Sequence, residues 1–208
     1  VPDAQDVLQQ LKAAPDVILG NGQWGDTECH LNYPFAVTWV PLNKDWLIVG
    51  VYGNVKIINV RTRAVICVFG REGAGTHEFN MVRSVAITAD SSHVIVADPG
   101  NIRVQVLRLV VTNDGECADL QFVHSIVPNA EMKKKELFVY PMGVAVLEND
   151  SGEQTILVTD YSNHVCQFAL KFKSGDFKLG DFIGIFATSK LGNITMLDSA
   201  CSELAIVD

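Results

Sequence analysis

The sequence predicts an all-β fold: a propeller of four-stranded blades, with about three complete blades and partial blades at both ends. Three observations predict it. First, hairpins recur. "WLIVGVYGNVKIINV", "HVIVADPGNIRVQVLRLV" and "TILVTDYSNHVCQFAL" each join an apolar run, a short turn ending in Asn, and a second strand. Second, the turn asparagines Asn54, Asn101 and Asn163 lie 47 and 62 residues apart, a period near 47 broken by one insertion of about 15 residues. Third, each hairpin is flanked by two further apolar, β-branched runs, which completes the four strands of a blade.

Taken in order, "VPDAQDVLQQLKAAPDV" reads as a short amphipathic helix capped by Asp3, with Val7, Leu8 and Leu11 on one side. The expected organisation is therefore a helical segment over 1–16 and an incomplete propeller over 17–208. "DVIL" would be the outer strand of an earlier blade. The complete units span roughly 35–69, 82–126 and 142–186. Their inner strands are "YPFAVTWV", "MVRSVAIT" and "YPMGVAVL", and their outer strands are "AVICVFG", "DLQFVHSIV" and "GDFIGIF". Ala36, Ser84 and Gly143 fall at one equivalent position, where a small residue suits an inner strand packed tightly around a central channel. "GNITML" and "ELAIVD" would begin a fourth blade that stops unfinished. A β-sandwich with fortuitous spacing is the alternative. An open ring leaves unpaired sheet edges, so a longer native chain or another copy is expected to supply the missing blades.

The second unit, "VFGREGAGTHEFNMVRSVAITADSSHVIVADPGNIRVQVLRL", resembles an NHL repeat, with its F-G-x-x-G-x-G turn and its V-A-D-x-x-N-x-R-V-Q-V hairpin. Val82 and Ser84 depart from the Pro and Gly of that family's inner strand. The third unit keeps that start but carries Val165 in place of the arginine. The first is the weakest match, with Val51 in place of the aspartate. The resemblance implies a propeller of NHL type in which Asp98, Asn101, Asp160 and Asn163 serve structure as turn-formers, not ligands.

Composition narrows the function. A net charge of −8 argues against a dominant nucleic-acid footprint. No apolar run approaches the length of a membrane helix. Five dispersed cysteines (Cys29, Cys67, Cys117, Cys166, Cys201) without a C-x-x-C read as reduced, mostly buried thiols of a cytoplasmic protein. The histidines His30, His77, His93, His124 and His164 show no metal-binding spacing, so no metal and no cofactor are expected. No G-x-S-x-G is present, and "FGREGAGTHEF" lacks the Lys-Ser/Thr ending of a phosphate cradle, which leaves it as a connection between blades.

The expectation is a non-catalytic scaffold that binds a protein through one propeller face. Phe35, Arg83 and Met142, at equivalent starts of the inner strands, are the candidate contacts, with Gly192 at the fourth start and Arg71 and Lys44 near them. Lys133, Lys134 and Lys135, in the insertion "EMKKKELF", form a solvated loop or a docking loop. The resemblance also implies two further readings. Some NHL proteins bind single-stranded RNA through that face, and a related propeller enzyme, the peptide-amidating lyase, binds zinc through histidines from separate blades.

Overall fold

The computed structural model describes residues 30–188, apart from 113, 114, 135, 137, 149–151, 162, 163, 174 and 175, and it gives only the backbone beyond 161. The proposed N-terminal helix, "DVIL", Asn163, Gly192 and the start of a fourth blade lie outside the described residues. Three antiparallel four-stranded sheets follow one another along the chain. The first comprises β1 (Ala36–Val40), β2 (Asn43–Gly50), β3 (Val55–Asn59) and β4 (Ala64–Phe69). A two-stranded parallel pair, β5 (Arg71–Glu72) and β6 (Glu78–Phe79), forms inside the glycine-rich connection. The second sheet holds β7 (Ser84–Ile87), β8 (His93–Asp98), β9 (Arg103–Val111) and β10 (Ala118–Ile126). The third holds β11 (Pro141–Glu148), β12 (Gln154–Asp160), β13 (His164–Lys173) and β14 (Asp176–Thr188). These limits match the three expected units within a few residues.

Alternation explains the packing. Along β8 all six residues are buried, because neighbouring side chains serve opposite cores. Val94 and Val96 join Trp46, Ile48, Val55 and Ile57 of the first sheet. Ile95 and Ala97 join Val144, Val146, Ile156 and Val158 of the third. The middle sheet is thus packed on both faces. The three inner strands sit side by side, and Ser84 Oγ accepts the Val144 N–H at 3.2 Å across that gap. Gly143 is small for a local reason, since a Cβ there would lie 2.6 Å from Thr159 Oγ1 of the adjacent strand.

The polar groups of the hairpin do more than form their own turn. Pro99–Asn101 makes a single 3₁₀ turn that ends at Ile102, whose φ of 52° is left-handed. Asp98, fully buried at the end of β8, accepts from Arg103 Nε at 2.8 Å, from Asn101 Nδ2 at 2.8 Å and from the Asn80 N–H at 2.8 Å. Arg103 in turn donates to the carbonyls of Ala74, Gly75 and Glu78, and Asn101 donates to that of Gly73. Asp98 therefore holds its own turn through Asn101 and, through Asn80 and Arg103, also clamps that turn to the connection between blades. In the third sheet Asp160 repeats one bond, accepting the Tyr140 N–H at 2.7 Å.

Two smaller expectations shift. The insertion before β11 is not wholly loop: Ala130–Lys134 forms a short helix, α1, with Met132 buried beneath it. Cys67 is half-buried in β4 and burial raises its thiol pKa, whereas Cys117 is exposed.

Candidate partner-binding face

Strand register gathers the candidate residues at one end of the sheets. The pairings Ala36 with Gly50, Ser84 with Ala97 and Gly143 with Thr159 put the starts of β1, β7 and β11 beside the turns that follow β2, β8 and β12. The connections 70–83 and 127–140 run to those same strand starts, so all of these segments share one side, here called the upper face. Phe35, Arg83, Met142 and α1 belong to it. Lys44 does not, because it opens β2 at the opposite end of the sheet.

On this face the aromatic side chains form a connected arc. The Arg83 guanidinium carbon lies 5.0 Å from the centroid of the Phe35 ring. Tyr33 stacks on Phe35 at 6.0 Å and 4°, and leans on Tyr52 at 6.4 Å. Tyr52 reaches Asn80 Oδ1 through its hydroxyl, at 3.5 Å. Beyond the neighbouring Met81, the Tyr140 hydroxyl contacts Met81 Sδ at 3.9 Å, and Tyr140 meets Tyr161 edge-on at 6.4 Å. Tyr33 and Tyr161 are more than half exposed. Met142 is half-buried at the start of β11.

The structure thus joins Phe35 and Arg83, two residues named from sequence, and adds Tyr33, Tyr52, Met81, Tyr140 and Tyr161. The missed residues carry a readable signal. Tyr33, Met81 and Tyr140 each stand two places before Phe35, Arg83 and Met142, and Tyr52 and Tyr161 occupy the same position of their hairpin turns.

Two cavities flank the arc. One, of about 600 Å³, is lined by Tyr33, Tyr52, Asn54, Arg71 and Glu72. The other, of about 480 Å³, lies between the Asn101–Ile102 turn and the insertion, with Val127, Lys133, Phe138 and Val139 on its walls. Ile102, Val127 and Val139 are exposed there, while Phe138 is buried. Lys133 and Lys134 are exposed on α1, and Lys135 lies outside the described residues. Electrostatically the face is mixed. Arg71 is paired with Glu78 at 2.8 Å, and the Gly75 N–H together with that arginine holds the Glu78 carboxyl below its usual range.

Two of the histidines serve packing. His77 lies between the Phe69 and Phe122 rings, where the first and second sheets meet. His93 is buried against Ser92 at the end of the sheet away from the arc. Among the described residues, no three His, Cys, Asp or Glu side chains gather as metal ligands would. No described helix is long and apolar enough to cross a membrane.

Neither the known protein-family profiles nor the sequences of characterised proteins give a match. Solved structures do. Sqt1 from Chaetomium thermophilum superposes with a TM-score of 0.52 at 13% identity, over 73% of this chain and 35% of its own. The fold is a β-propeller. The β-propeller domain of Cps50 (Swd1) from Myceliophteria thermophila gives 0.47 at 15% identity, covering 70% of this chain and 41% of that one. U3-55K gives 0.48 at 11% identity, covering 71% and 42%. This propeller chain therefore spans well under half the length of each of these proteins. The superposition on Sqt1 establishes the propeller architecture and not the NHL family.

Proposed function

We propose that this chain is a non-catalytic binding scaffold whose upper face engages a protein partner. One observation carries the reading: exposed aromatics, a methionine and an arginine form a continuous arc across three blades, in the residue types that dominate binding hot spots. Cavities on either side offer places for a partner's side chains. Within this reading the chain is of NHL type, supported by the clamp of Asp98, Asn101 and Arg103 on the glycine-rich connection.

Single-stranded RNA is the second reading, favoured by the Arg83–Phe35–Tyr33 stack, which pairs a cation with flat rings. The acidic balance of the chain weighs against it, as do Glu72, Glu131 and Glu136, which are exposed on the upper face. Titration of a random single-stranded RNA pool across a salt series separates the two. The protein reading predicts no binding even at low salt. Binding that weakens along a steep log–log slope would overturn it in favour of RNA.

A further inference from the structure

Backbone strain gathers at the second of the two cavities. Among the described residues seven non-glycine residues have positive φ, and three of them, Ile102 (52°), Glu136 (53°) and Phe138 (61°), line this one space of about 480 Å³. Ile102 carries the most strain, because a β-branched side chain crowds its own backbone in left-handed geometry, which Asn and Gly tolerate. The turn that holds it is also longer than its counterpart. Four residues join the paired Gly50 and Val55 in the first sheet, whereas six join Ala97 and Val104 in the second. Strain of this kind persists where the surrounding structure enforces it, and it clusters at sites that bind or switch.

The core holds the cavity in shape. Met132 of α1 and Phe138 are 3% and 1% exposed, and both belong to the cluster between the second and third sheets. The connection 127–140 is thereby pinned at two points. Its apolar walls nevertheless meet solvent, with Ile102, Val127 and Val139 at 44%, 57% and 47% exposure. A hollow with fixed apolar walls receives a side chain at little ordering cost. Lys133 and Glu136 stand on the same walls, and the ion pairs of the described residues use neither.

We propose that this cavity is the anchor pocket of the partner-binding face. Its occupant is a large apolar side chain of the partner protein, flanked by a carboxylate that meets Lys133 and by a basic side chain that meets Glu136. The proposal rests on the protein-binding reading above and adds to it the chemistry of the partner. Apolar walls call for the anchor, and the two unpaired wall charges select its flanks.

Panning a phage-displayed library of random peptides on the 208-residue chain tests it. Selected peptides should share an apolar residue with an acidic and a basic residue beside it, and Ile102→Asn should weaken their binding by about tenfold or more. The same variant should raise the melting temperature, because Asn accepts the left-handed turn with less strain. A merely structural isoleucine would lower it. Lys133→Glu should turn the acidic position of newly selected peptides basic, with circular dichroism unchanged. Peptides that ignore Ile102→Asn and depend on Tyr161 would overturn the pocket and leave the protein-binding face standing. No selected peptide at all, the result expected if another segment of this chain or a second copy fills the cavity, would also overturn it. Cross-linking from Tyr161 then decides separately whether the face binds protein.

Discussion

Asp98 is the residue on which most of the second blade's polar order depends. It is fully buried, and its charge is balanced by Arg103, itself only 8% exposed. Removing one member of a buried pair strands the other, at a cost of about 3–5 kcal/mol. Asp98→Ala should therefore lower the unfolding free energy by roughly that amount in urea titration, and a loss below ~1 kcal/mol would show that the clamp matters little. The sequence marked this residue through the D-x-x-N-x-R spacing. What no local pattern reveals is the backbone that the motif holds: Arg103 donates to carbonyls some 25 to 29 residues away, and Asp98 accepts from the Asn80 N–H.

His93 offers a pH test at the same scale. Burial, with Arg108 adding to it, lowers the His93 pKa below its ordinary value near 6.5. The folded state then binds fewer protons than the unfolded state between the two pKa values, so this residue's contribution to stability falls as pH drops below about 6.5 and levels off under the folded pKa. His93→Phe should flatten the stability–pH curve in that window. An unchanged slope would assign the dependence to other groups.

At the scale of elements, strands were the most legible features, because period-two alternation and turn chemistry agree in each unit. The helix α1 was not legible: it spans five residues, too few to show a helical period. Gly143 was expected to be small for packing around a channel, whereas its tight contact is with Thr159 of its own sheet, and the consequence is testable. Gly143→Val would force a side chain against Thr159 Oγ1, and overpacking of this kind costs about 1–3 kcal/mol. A melting temperature lowered by several degrees is the expected result, with Leu147→Val in the same strand as a milder control.

Among the described residues, the exposed aromatics Tyr33, Phe35 and Tyr161 lie where three strand starts and two hairpin turns meet, while the opposite end carries tight turns such as Arg61–Arg63 and, among exposed aromatics, Trp39. Repeat equivalence made the face legible from sequence, whereas the arc needed three dimensions, because Tyr52, Met81 and Tyr140 come together across blades. Within the arc, Arg83→Ala and Tyr161→Ala should each weaken partner binding by about tenfold or more, as hot-spot truncations do, without changing the melting temperature. Site-specific photo-cross-linking tests the central claim most directly. A photoreactive residue at Tyr161 should yield a protein adduct that Arg83→Ala suppresses, while the same residue at Leu42, on the opposite end, should yield none. Equal adducts from both positions, or adducts lost on ribonuclease treatment, would contradict a protein-binding upper face.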